Sequence, residues 1–294
     1  MDRQSTLARR FFDRLEPVHA VTYFSPEARA ALDGLGYKGF WMGYFAARSA
    51  PFGVVPAEVI TAAFYNFAPQ RVAKTLPAAW DVATPAEALR ARLDSAAAAL
   101  RRYGVGDGDD VRTAAELAAK AARNAPMDGR ALFAANAALE WPDEPLAKLW
   151  HATTLLREQR GDGHVAVLTA LGISGRECNV LHAAAGRVPK EMIMRSRDYD
   201  DEQWCAYQDR LAQRGLLDGD ELTDAGRAFK QRIEDGTDRL ALSVLDALDD
   251  DEVEALFLAL TPITRKVVAA GDVPAATPMG LSRDDLDDDS AHLT

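Results

Sequence analysis

The densest group of chemically capable side chains is Arg157-Glu158-Gln159-Arg160-Gly161-Asp162-Gly163-His164. The two glycines suggest a break between a helix over Leu146 to Arg160 and another over His164 to Leu171. In that reading Asp162 caps the second helix and His164 lies in its first turn. A helix start flanked by two arginines suits an anionic or carboxylate-bearing ligand, held by backbone donors and guanidinium forks. The same residues equally suit a capped turn whose ion pairs clamp two helices. As chemistry, His164 would be an acid/base assisted by Glu158 or Asp162.

A second group is aromatic: His19, Tyr23 and Phe24 with Trp41, Tyr44, Tyr65 and Phe67. The i, i+4 spacing sets His19 and Tyr23 on one helix face. Such residues wall pockets with polar tips, and they also fill cores where neighbours satisfy the Tyr and His groups. Metal binding is disfavoured, since no His-x-x-x-His or Cys-x-x-Cys pair occurs. A nucleophile elbow, a Walker loop and a dinucleotide-binding glycine fingerprint are absent too, so no cofactor is expected.

Composition narrows the class. The 294 residues suffice for two ordinary domains or one large helical one. Abundant Ala favours helix. No apolar run approaches the roughly 20 residues needed to span a bilayer, and the first residues lack a signal-peptide core. A cytoplasmic protein with no membrane partner is expected. Cys178 and Cys205 lie on apolar-periodic helices and read as buried thiols. A formal charge of −11 argues against a protein that coats nucleic acid broadly, without excluding a local basic strip.

Along the chain, Pro17 ends a first short helix and Ser25-Pro26 starts another turn of helix. Helices then recur up to Leu260, and Leu281 to Thr294 is acidic, poor in apolar residues and expected to be disordered. The segment Asp201 to Leu240 is the most structured stretch. A helix stops at Gly215, Leu216-Leu217 and Glu221-Leu222 can pair around Asp218-Gly219-Asp220, and Thr223 caps the next helix.

The order helix, RGLL, short wing, LTDAG, long helix resembles the winged-helix half of MarR-type regulators. Leu211, Arg214, Gly215, Leu216, Leu217, Leu222, Thr223, Ala225 and Gly226 carry that likeness. EPVHAVTYFSPEAR, GFWMGYFAARSAPFG, FYNFAP, LWHATTLLREQRGDGHVAVL and TPMG resemble an actinobacterial helix-turn-helix family over most of the chain. The resemblance implies that Asp201 to Arg214 stands in the recognition-helix position. MarR-type wings usually carry an Asp-x-Arg motif, which this wing lacks, while phosphate binding needs Lys and Arg. Lys190, Arg195, Arg197, Arg210 and Arg214, with Arg187, can form a basic strip beside it.

GYFAARSAPFGVVPAEVITAAFYNFAPQRVAKTLPAAW can be laid against AVLTALGISGRECNVLHAAAGRVPKEMIMRSRDYDDEQW, helix for helix. The expectation is a mainly α protein of two winged-helix-like (MarR-like) units with short β-wing hairpins. Residues 1–125 would form one unit, 126–248 the other, and 249–294 a helix with an acidic tail that masks the basic strip. A monomeric pseudo-dimer or a homodimer would follow. The leading function is a regulatory or small-molecule-binding protein. Its ligand would lie between the halves on His19, Tyr23, Trp41, Tyr44, Tyr65, Arg157, Glu158, Arg160, Asp162 and His164. The alternatives are a regulator binding double-stranded DNA and an enzyme of a secondary pathway using His164.

Overall fold

Helix starts are written in the sequence as caps. Ser25, Thr84, Ser174, Asp200, Thr223 and Asp249 each accept a hydrogen bond from a backbone N–H of the turn that follows, satisfying a donor that a helix start leaves open. Thr84, Ser174 and Asp249 do so reciprocally with Glu87, Glu177 and Glu252. The computed structural model describes residues 5–275, 277, 279 and 281–293. It is almost wholly helical.

In chain order come α1 (Ser5–Phe24), α2 (Pro26–Gly34), α3 (Gly39–Ser49), α4 (Ala57–Phe64), α5 (Pro69–Trp80), α6 (Pro85–Arg102) and α7 (Asp109–Asn124). They are followed by α8 (Ala131–Ala137), α9 (Pro145–Ala170), α10 (Gly175–Ala184), α11 (Lys190–Arg197) and α12 (Asp201–Gln213). The strands β1 (Leu217–Asp218) and β2 (Glu221–Leu222) lead into α13 (Asp224–Leu242) and α14 (Asp250–Ala269).

α9 is the axis. α1, α6, α7, α8 and α13 pack around it, and Leu149, Trp150, Ala152, Leu155 and Leu156 join the largest apolar core. The expected break at Gly161 to Gly163 does not occur, and α9 runs straight through it. α13 packs on this stretch: a Cβ on Gly163 would touch Leu240 at an ordinary 3.5 Å, while one on Gly236 of α13 would press on Val167 at 3.2 Å. Asp162 is therefore mid-helix and caps α8, accepting from the Phe133 N–H at 2.9 Å. Pro17 likewise fails to end α1. Its side chain is buried with the rest of the helix, whose packing against α9, α13 and α14 outweighs one missing hydrogen bond.

α10, α11, α12 and the β1–β2 hairpin close over a second core built on Trp204, Leu211, Leu216, Leu217, Leu222 and Ile233. The register pairs Leu217 with Leu222 and Asp218 with Glu221, so both leucines face inward. The segment Leu281 to Leu293 is placed, contrary to expectation. Arg14, with no exposed side-chain surface, donates to the Asp285 carboxylate at 3.1 Å and to the carbonyls of Asp285 and Asp288 at 2.9 and 2.6 Å. These contacts lay the tail on α1 rather than over a basic strip near the wing. Cys205 is exposed rather than buried, while Cys178 packs against the second core.

The turn after α4 presses against α10. Tyr65 takes a left-handed φ of 50°, and a Cβ on Gly175 would lie 2.0 Å from the Tyr65 carbonyl oxygen. Gly175→Ala is expected to lower stability by roughly 1–3 kcal/mol, read as an earlier midpoint in urea denaturation. An unchanged midpoint would show that the two segments can separate freely.

Candidate functional site

α1 ends just as α2, α3 and α6 converge, and the gap left between them is a cavity of about 460 Å³. Phe24, Pro26, Leu32, Phe40 and Ala47 give it apolar walls, and Tyr23, Tyr44, Arg48 and Arg92 give it polar ones. The sequence places these groups by helical period: Tyr44 and Arg48 are one turn apart on α3, and the Arg48 Nη1–H donates to the Tyr44 hydroxyl at 3.2 Å.

A buried ionic cluster lies behind the cavity. Arg48 donates to both oxygens of Glu158 at 3.3 and 3.2 Å, and Arg157 donates to the same carboxylate at 2.6 Å. Arg157 also reaches Glu16, at 3.3 and 3.4 Å. Glu158 pays a burial penalty, yet the two arginines hold it ionised and well below the usual carboxylate range. Burial pushes Glu16, with only the longer contacts, up to about 7.

His19 Nδ1 is 2.9 Å from the Thr154 hydroxyl, which itself donates to the Trp150 carbonyl. Thr154 must then accept from Nδ1–H, leaving Nε2 to accept from the Tyr23 hydroxyl at 3.0 Å. Burial lowers the His19 pKa, consistent with this neutral tautomer.

Of the residues expected to hold a ligand, His19, Tyr23, Tyr44, Arg157 and Glu158 are brought together here. The other five are not. Trp41 packs on Phe45 and Phe67, and the Tyr65 hydroxyl donates to the Ile173 carbonyl at 2.5 Å. Arg160 pairs with Asp238 at 2.5 Å and lies over the Phe12 ring, and Asp162 caps α8. His164 Nδ1 is 2.9 Å from the Thr237 hydroxyl, and neither Glu158 nor Asp162 bonds its ring. Burial takes its pKa down to about 4. The acid/base pairing expected of His164 is not formed.

Sequence reasoning missed Arg48 and Arg92. Arg92 sits where the buried stripe of α6 carries Ala88, Ala96, Ala99 and Leu100. A single arginine in an alanine stripe is the signal that identifies it.

The surface of α12 and the β1–β2 hairpin, expected to be the recognition element, is acidic. Between residues 198 and 224 there are nine Asp and Glu against two Arg. Asp201, Glu202 and Asp209 on α12, and Asp218, Asp220 and Glu221 on the hairpin, are exposed. Of the expected basic strip, Lys190 pairs with Asp220 at 3.5 Å. Arg214 donates to the Gly172 and Leu171 carbonyls at the end of α9, and Arg197 stacks on Phe67. Arg195 and Arg210 are exposed, and neither forms an ion pair among the described residues. Among those residues no group of three or more His, Cys, Asp or Glu could hold a metal.

A model of a helix-turn-helix family matches residues 8–274. The chain belongs to that family. Neither the curated proteins nor the solved structures gave a match. The family match spans the cavity as well as α10 to β2. Among the described residues no helix is long and apolar enough to cross a membrane.

Glu16 yields a pH prediction. Its folded-state pKa lies above the unfolded value of 4.5, so the folded chain holds an extra proton between the two. Stability from this group is then lost as pH rises from about 4.5 to about 7. Relative to Glu16→Gln, the wild-type protein should lose on the order of 3 kcal/mol across that window, measured by urea denaturation at each pH. A constant difference between the two proteins would mean that Glu16 is ionised throughout.

Proposed function

We propose that this helix-turn-helix protein is a small-molecule-binding regulator whose ligand occupies the cavity between α1, α2, α3 and α6. One observation carries the reading. A cavity of about 460 Å³, of the size that suits small ligands, is walled by aromatic and aliphatic side chains and backed by polar groups, with Tyr23 bonded to His19, Tyr44 bonded to Arg48, and Arg92 beside them. The site falls within the N-terminal helices, and among the described residues Asp272 is the only lining residue from beyond α6.

We further read the chain as two related units, the first without a wing. Two matching helix ends support this. Gly104 and Val105 donate to Arg101 and Leu100 after α6, at 2.9 and 3.0 Å, and Gly215 and Leu216 donate to Ala212 and Leu211 after α12, at 2.8 and 3.0 Å. Only the second is followed by a strand pair among the described residues, where a hairpin in each unit was expected.

Binding of duplex DNA by α12 and the β1–β2 hairpin is the second reading, favoured by the complete order of α10, α11, α12 and wing. Its charge requirement rests on Arg195 and Arg210. Reversing both to Glu should abolish binding to a duplex in fluorescence anisotropy, whereas neutralising both should make the log–log salt slope shallower by about 2. Binding that ignores salt and both changes would remove this reading.

For the cavity, native mass spectrometry of the purified protein is expected to show a discrete added mass that denaturation releases. Leu32→Trp, which fills the space, should lose it. A folded Leu32→Trp protein that retains the added mass would place the ligand elsewhere.

A further inference from the structure

The buried charges around the cavity do not balance. Arg48, Arg92 and Arg157 face only two carboxylates, Glu16 and Glu158. Arg48 and Arg157 share Glu158, and Arg157 also reaches Glu16. Arg92 has neither. It is 6% exposed, and among the described residues no carboxylate lies within ion-pair distance of it. Its two terminal nitrogens donate to neutral oxygens, the Ala47 carbonyl and the Asn136 side chain, both at 3.0 Å. Its Nε–H is buried with no acceptor.

A buried guanidinium without a counter-charge is costly, since the desolvation penalty is not repaid by Coulomb attraction. Arg92 lines the cavity, so the missing anion has a place to sit. Asp272, the one carboxylate on the cavity wall, already bonds Arg102 and accepts from the Tyr103 hydroxyl at 2.6 Å.

We propose that the pocket takes a monoanion, a carboxylate or comparable group on an aromatic or alicyclic body, with Arg92 as its charge partner. The inference deepens, and rests on, the assignment of this cavity as the ligand site. The anionic end sits beside Arg92. The body lies against Phe24, Leu32 and Phe40 near the mouth, where Phe40 is 42% exposed. A cation is rejected by the same excess of arginine.

The test uses three probes with one body: biphenyl-4-carboxylate, biphenyl-4-carboxamide and biphenyl-4-methylamine, titrated calorimetrically into the full-length protein. The acid should bind roughly 10- to 100-fold more tightly than the amide, and the amine should not bind. Arg92→Met should erase the preference for acid over amide while leaving amide affinity unchanged. Arg92→Lys should keep part of it, because the charge remains and the planar fork is lost. Equal affinity of acid and amide, tighter binding of the amine, or a preference that survives in folded Arg92→Met would overturn the inference. If Arg92→Met does not fold, the wild-type series and Arg92→Lys decide. Should none of the probes bind, the inference fails, and the Leu32→Trp mass experiment shows separately whether the cavity reading falls with it.

Discussion

A charged helix is buried on every side in this protein, and most of the structure follows from that constraint. α9 carries Arg157, Glu158, Arg160 and Asp162 in succession along its middle, and each must find a partner away from water. Glu158 finds Arg48 on α3, and Arg157 finds Glu16 on α1. Arg160 finds Asp238 on α13, and Asp162 finds the first turn of α8. α1, α3, α8 and α13 are thereby fixed in rotation as well as position. Apolar packing alone tolerates sliding, whereas a buried ion pair does not, because breaking one leaves an uncompensated charge that costs several kcal/mol. Arg9 adds to the same framework by bridging Glu234 and Asp238 from α1.

Charge is segregated between two regions of the molecule. The cavity has an excess of arginine, whereas α12 and its hairpin are dominated by carboxylates. The arginines near α12 are engaged in packing: Arg214 closes the end of α9, Arg197 covers Phe67, and Arg176 lies over the Tyr199 ring. Each uses its apolar stem and planar head for packing, leaving the outer face to Asp and Glu. α12 and its hairpin are the part of this surface least suited to a polyanion.

What could be read from the sequence divides by range. Local signals held: the starts at Ser25 and Thr223, the stop at Gly215 and the hairpin around Gly219 are set by residues within a turn of one another. His19 and Tyr23 meet as their spacing implies. The misreadings share a cause, in that tertiary packing decided them. Gly161 and Gly163 resemble a break until α13 is present to press on α9. Pro17 resembles a stop until α1 is enclosed. The tail is poor in apolar residues yet is held by guanidiniums more than 270 positions away. Arg92 went unnoticed because its meaning depends on Ala47 and Asn136, each more than 40 positions distant.

The pairing of Arg14 with Asp285 and Asp288 also bears on how the chain is made. The two ends of that contact are separated by 271 residues. At ribosomal speeds of about 5–20 residues per second, Arg14 waits from roughly a quarter of a minute to a minute for its acceptors to be synthesised. During that interval α1 cannot bury its guanidinium against its final partners, so α1 is among the last helices to settle.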